Sequence, residues 1–486
     1  MAYRDPLIQH LLRRAGFGAS AAELEHFQSL GFTGAVDELI DFSSVADDVD
    51  SKIGTPGYVG TTSNGAFSPS TVINDARQRW LFRMTHSRRP LQEKMALFWH
   101  NHFATAYSKV SGNTSATAGA RMMAAKASEH PAGLRGQLET FRELGLGNFR
   151  DLLVEVAKDP AMVVWLDGNT NVKAKPQENF AREIMELFTM GVGFYTESDV
   201  YAGARVFTGW NLQLVGAGGD DPSSYYRFNY SAANHETTAK EFSFPIYPDG
   251  TRIIPARAAA AGMQDGLDLI EALARNPETG RRLARKLYAY LVSEISPPNE
   301  QLIAWLGRGF QDSNYNIGSM VRALLLTHDF SEPSNYFSRY SWPVEYVVRA
   351  MKEVGFAGFS VNTALGPLSN MGQQLFEPPD VSGWDLGKSW FSTGATLARM
   401  NFSAVLTQNQ KFNIAAAAKG KGPSPDALLS FYLDQLTPAD YSRAAYDDLL
   451  GYLTAGVTWN GSDTQLATKA PGLLHVIVGS SEYQLV

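Results

Sequence analysis

Residues 177–210, QENFAREIMELFTMGVGFYTESDVYAGARVFTGW, read as two helices joined by a glycine corner. On the first, Glu178, Arg182, Glu186 and Thr189 fall within a sector of roughly 80° at about 100° per residue, opposite Ala181, Ile184, Leu187 and Phe188. Glu183 lies outside this polar stripe. Gly191–Gly193 ends the helix, and Thr196 with Asp199 three residues on makes a capping box that opens the second. There Tyr201, Arg205 and Thr208 share a face closed by Trp210. The spacing supports two readings. Glu178, Arg182 and Glu186 at i,i+4 form an ion-pair ladder on a solvated face, each pair contributing about 0.2–0.5 kcal/mol, with Asp199 a helix cap. Alternatively, the two polar surfaces meet across the corner as a site.

Working outward, helical periodicity dominates. Ser20 and Glu23 form a capping box, Gly31 stops that helix, and Ala35–Phe42 starts another. The Gly-, Ser- and Thr-rich interval 54–70 is a loop long enough to expect a role as lid or tether. Helices follow over 71–86 and, after Pro90, over 91–103, then through 120–158. After Trp210 the period changes: Tyr226, Phe228 and Tyr230 alternate, as do Phe242 and Phe244, which predicts a β-hairpin centred near His235. From Arg257 the pattern is helical again. The expected fold is therefore mainly α, a large multi-helix body over 1–412 with a β-containing insertion at about 211–256. A linker over 413–424 leads to a small helical segment, 425–486, packed on the main body.

Composition narrows the function. A net charge of −7 and no long Lys/Arg cluster argue against nucleic acid as the main partner. No run approaches the roughly 18 apolar residues of a membrane span, so no integral membrane segment is expected. Without cysteine there are no disulfides, thiolate ligands or cysteine nucleophiles. The first twenty residues carry Arg13-Arg14 but lack the apolar stretch of a signal peptide. The expectation is a cytoplasmic protein, or one exported with a partner or after losing its own signal.

The stretch at 177–210 resembles the core of the bacterial family catalogued as domain of unknown function 1800, with a pattern near NENFAREL-ELFTLG followed by YT--DV---AR-FTGW. HLLRRAGFG at His10–Gly18, LFWHNHFAT at Leu97–Thr105 and FEPPDVSGWDLGKSW at Phe376–Trp390 agree in order, so the likeness covers about residues 5–402. Gln177 replaces the family's usual Asn, and its His-Asp-Gly-Lys-like element stands here as His235-Glu236-Thr237-Thr238-Ala239-Lys240. The resemblance implies the fold class more than an activity. It also implies a co-encoded, exported partner, because family members are often encoded beside a second uncharacterised family with a twin-arginine signal.

Candidate chemistry gathers on a few side chains. In the helix 91–103, His102 lies within about 20–40° of the apolar stripe Leu91, Met95 and Phe98, and His100 points away with Glu93 and Ala96, so His102 is the expected inward histidine. A core histidine bonded to a carbonyl or carboxylate is the competing reading. Glu183 and Glu186, about 60° apart, would join His102 in a nitrogen and oxygen set for a divalent cation such as zinc, manganese or iron. The HExxH, GxSxG and GxxxxGK[ST] motifs are absent. A carboxylate pair for glycoside cleavage stays open. In the Pro378–Trp390 loop, Asp380, Trp384 and Trp390 form either a structural plug or one wall of a cleft. The leading expectation is a hydrolase with His102, Glu178, Glu183 and Glu186 as acid–base groups. Arg182, Arg205, Trp210, His235, Lys240, Asp380, Trp384 and Trp390 would then hold a polar or anionic, glycan-like or small-molecule ligand. The alternative is a non-catalytic binding or assembly protein working with the exported partner.

Overall fold

The computed structural model describes residues 4–409, 411–436 and 441–486. At its centre is α4 (Pro90–His102), in which every residue except Asn101 is buried. Pro90 supplies the preset φ of a first helical turn. Trp99 donates its indole N–H to the Gly145 carbonyl at 2.8 Å. Because α4 is enclosed all round, His100 is as buried as His102, which corrects the expected inward–outward division. Nε2 of His100 accepts the Phe376 N–H at 3.1 Å, and burial pushes its pKa down to about 3.

Buried carboxylates fasten the surrounding helices. Glu139 on α6 (Gln137–Leu144) bonds Arg83 of α3 (Ile73–His86) at 2.5 Å and Arg142 at 2.8 Å. Burial alone would raise its pKa, but these guanidinium groups outweigh it and hold the carboxyl down to about 2. Glu345 of α13 (Pro343–Val354) likewise pairs with Arg339 and with Lys94 of α4.

The deciding stretch folds as two helices, α9 (Asn179–Glu186) and α10 (Glu197–Val206). The first stops sooner than its periodicity predicts. Leu187 and Phe188 both donate to the Glu183 carbonyl, Gly191 donates to that of Met185, and Gly191 sits at φ 94°, where a side chain would be strained. Thr189 therefore leaves the polar stripe, is fully buried, and bonds the Ile184 carbonyl. The capping box holds: Thr196 and Asp199 bond reciprocally. The box at Ser20 and Glu23 holds as well, and Gly31, non-helical at φ 66° and ψ 170°, divides α2 (Ala21–Ile40) into two helices across a kink, as its position predicts.

Strand among the described residues is confined to two small antiparallel sheets. β1 (Trp210–Val215) pairs with β2 (Tyr225–Tyr230) in the register Trp210↔Tyr230 to Val215↔Tyr225. β3 (Lys240–Glu241) pairs with β4 (Ile253–Ile254). The hairpin turn thus lies at 216–224 rather than near His235, because Gly216, Gly218 and Gly219 take the positive φ values that the reversal needs. The turn rests on α5 (Ala116–Ala124): Ser115 Oγ donates to the Gly219 carbonyl at 2.7 Å, and Arg121 donates to those of Pro222 and Ser224. Toward the C-terminus, α14 (Thr393–Asn409) packs on α18 (Asp463–Gly479), with α15 (Lys411–Ala418), α16 (Pro425–Leu436) and α17 (Arg443–Thr454) between them in sequence.

Candidate active-site cleft

On α9, Arg182 reaches across the corner to Glu197 with two bonds of 2.7 and 2.8 Å and back to Glu178 at 3.4 Å. Glu186 takes the Tyr195 hydroxyl instead. Glu183 is half-buried, and burial together with the Glu186 charge raises its pKa. His102 is elsewhere engaged. Its Nε2 faces the Phe188 carbonyl at 3.0 Å, so that nitrogen carries the proton, and Nδ1 accepts from Lys286 at 3.0 Å. Burial first, then Lys286 and Arg282, hold this imidazole well below the ordinary histidine range. Among the described residues no three His, Asp or Glu side chains come together to hold a metal ion. His102, Glu183 and Glu186 are thus not assembled as a ligand set, because both ring nitrogens of His102 are spent on protein partners.

The loop after Trp210 closes on itself. Lys240 Nζ donates to Asp265 Oδ2 at 2.6 Å, His235 Nε2 lies 3.2 Å from the same oxygen, and Arg257 meets Oδ1 at 2.6 Å. Asp265 belongs to α11 (Met263–Arg275), so this knot ties β3 to the helical body. Arg205 adds bonds to Glu236 at 2.8 and 3.0 Å. His235 and Trp210 lie against backbone: a Cβ on Gly262 would meet the imidazole at 2.0 Å, and one on Gly266 the indole at 2.3 Å. Asp199, beyond its cap, takes Ser243 N–H and Oγ at 2.6 Å each.

Asp380 is exposed and caps a local turn through Ser382. Trp384 and Trp390 are each 5% exposed. Trp384 donates its backbone N–H to Asn101 at 2.7 Å. Both tryptophans touch a shallow hollow of about 270 Å³ with Asp385, but so little ring surface is open that the aromatic faces serve packing.

A better-built cleft, of about 420 Å³, opens between α5, α6, α7 (Phe149–Lys158) and the face of β2. Asp159 sits in its wall as the cap of α8 (Pro160–Trp165), accepting the Met162 N–H at 2.8 Å and Gln137 Nε2 at 3.1 Å. Burial dominates over these two donors, and with Glu155 adding its charge the Asp159 carboxyl is pushed up to about 7. Glu155, four residues earlier, faces Arg135 at 3.7 Å. Lys158 also lines the cleft, and among the described residues it has no hydrogen bond or ion pair. Tyr226 and Phe228 form the aromatic edge beside Arg227. His130 Nδ1 accepts the Ala132 N–H at 3.0 Å, which leaves the proton on Nε2. Burial and Arg121 lower its pKa to about 4, so the ring is a neutral donor at neutral pH. A carboxyl that keeps its proton near neutrality, one helical turn from a second acid, Glu155, is an arrangement acid–base chemistry uses.

None of these residues stood out in the sequence. Asp159-Pro160 reads as an ordinary helix start, and the cations Arg121, Arg135, Lys158 and Arg227 are dispersed over two helices, a loop and a strand until folding gathers them. The one available signal was Glu155 and Asp159 at i,i+4 ahead of a proline. No curated protein and no solved structure matches the chain. A family profile matches residues 10–485, nearly the whole chain, and the protein belongs to the family described as "Protein of unknown function (DUF1800)".

Proposed function

We propose that the protein is a hydrolase acting on an anionic, carbohydrate-like substrate in the cleft beside Asp159. Asp159 donates its proton to the leaving oxygen as the scissile C–O bond breaks. The Glu155 carboxylate takes a proton from the water whose oxygen joins the carbon. Lys158, Arg135 and Arg227 supply the counter-charge for an acidic substituent, and Tyr226 and Phe228 offer apolar surface to a sugar ring. The observation that carries this reading is a buried carboxyl, protonated near neutrality, in the wall of a cleft rich in cations.

The test is release of reducing ends from polyuronates and sulfated glycans, with neutral glucans as controls. Turnover of an acidic polymer, lost in both Asp159→Asn and Glu155→Gln, supports the reading. Turnover that survives Asp159→Asn overturns it. The binding-protein alternative draws on one observation: Val192, Phe194 and Tyr201 stand 74, 48 and 53% exposed at the glycine corner, an apolar surface suited to a protein partner. Stable co-elution with the product of a neighbouring gene, lost in a Phe194→Ser variant, would favour that role.

A further inference from the structure

A second cleft, of about 510 Å³, lies elsewhere, between α2 and the corner where α3 gives way to α4. Its body is apolar, walled by Phe27, Val45, Pro90 and Phe356. Such a volume is within the usual range for a small-molecule site. The polar groups in it differ sharply in what they have left to offer.

His86 ends α3 inside a box of aromatic rings. Its centroid lies 4.5 Å from Phe356, 4.8 Å from Phe82 and 4.9 Å from Tyr58. Val59 donates its backbone N–H to Nε2 at 3.0 Å. The neutral ring therefore carries its proton on Nδ1, for which the fold provides no acceptor among the described residues. Burial first, then Lys352, pushes the imidazole down to about 4, so this donor persists at physiological pH. Tyr58 and Val59 come from the long Gly- and Ser-rich loop, and the Val59 N–H fixes the tautomer of His86. Next to it, Ser87 Oγ accepts the Arg89 N–H at 3.0 Å and keeps its own proton to donate.

The charges point the same way. Glu23 is bonded by Lys352 at 2.7 Å and Glu38 by His26 at 2.6 Å, so both acids at the rim already have partners. Arg88 is exposed at the mouth and makes no hydrogen bond or ion pair among the described residues. Asp48, whose charge Arg88 also feels, is held by Lys52 at 3.0 Å. What remains for a ligand is one cation, two neutral donors and an apolar chamber.

We propose that this cleft binds an amphipathic monocarboxylate, its carboxylate at Arg88, His86 and Ser87 and its hydrocarbon body against Phe27, Pro90 and Phe356. This site stands apart from the hydrolytic cleft and does not depend on it. A carboxylate meets charge-assisted donors there, and its tail removes apolar surface from water.

Isothermal titration with octanoate, with octanol and acetate as controls, tests it on the full chain. Octanoate should bind saturably at one site, and acetate should not. Arg88→Ala should weaken octanoate about tenfold while leaving octanol unchanged, and Ala22→Phe, which places a ring in the chamber, should abolish both. Both substitutions are at exposed positions, so a thermal melt will separate lost binding from lost fold. Absence of saturable octanoate binding at millimolar concentration, or binding that is indifferent to either variant, overturns the proposal.

Discussion

At Asp159 two amide donors oppose burial and lose, which makes Gln137 a sensitive point. Its Nε2 bridges Asp159 and Thr105 at 3.1 and 3.0 Å. Gln137→Leu removes a bond that favours the ionised form, so the Asp159 titration should move upward from about 7, read by carbon-13 NMR of labelled aspartate. A downward move would mean that desolvation is not the controlling effect. The α9 acids are expected to behave otherwise. Glu186→Gln and Glu178→Gln lie on a half-open surface and should shift stability by less than about 1 kcal/mol in thermal melts. Local chemistry of this kind was legible in the sequence. The caps at Ser20 and Thr196 and the Glu178–Arg182 pair depend only on neighbours three or four residues away, and all three form. Thr189 was misplaced because Gly191 unwinds the last turn, a backbone event that periodicity does not register.

Among elements, the insertion is joined to the helical body by two separate fastenings. The buried Asp265 carboxylate serves Lys240, Arg257 and His235 together, and although burial would raise its pKa these partners hold it below the ordinary value. The contribution is present above the unfolded aspartate pKa and is lost as pH falls through the folded one, so the knot should loosen in acid below about pH 4. Asp265→Asn removes the fully buried charge shared by Lys240 and Arg257, which keep only Glu236 at 3.8 Å and Asp268, and should cost about 3–5 kcal/mol in chemical denaturation. A loss under 1 kcal/mol would show that solvent reaches the knot. The second fastening is Arg121 under the hairpin turn. Arg121→Ala should expose 216–224 to limited proteolysis with little change in global melting, since only the Pro222 and Ser224 carbonyls lose a donor. The insertion itself was legible from the alternation in β2. Its strand partner was not, because β1 carries only a mixed pattern and pairs through a glycine turn of nine residues, 216–224.

For the molecule as a whole, the mainly helical class followed from period, and Pro90 marked the start of α4 but not its enclosure on all sides. The cleft escaped notice because its parts are spread along the chain from Arg121 to Phe228 and none belongs to a motif. Residues that looked chemical, such as His102, Lys240 and Trp210, proved to be satisfied or packed parts of the interior. The central claim is that folding forces Asp159 to keep its proton, at a stability cost of at most about 4 kcal/mol for a shift from 3.8 to about 7. A carboxyl with a raised folded pKa withdraws stability as pH climbs from its unfolded to its folded value. Asn can keep the cap on Met162 without a charge to bury. The most direct measurement is the difference in melting temperature between Asp159→Asn and the unaltered protein across pH 4 to 9. The variant should gain steadily between about pH 4 and 7 and hold a constant advantage above. A difference that does not change with pH, or a variant less stable at pH 8, would contradict the assignment.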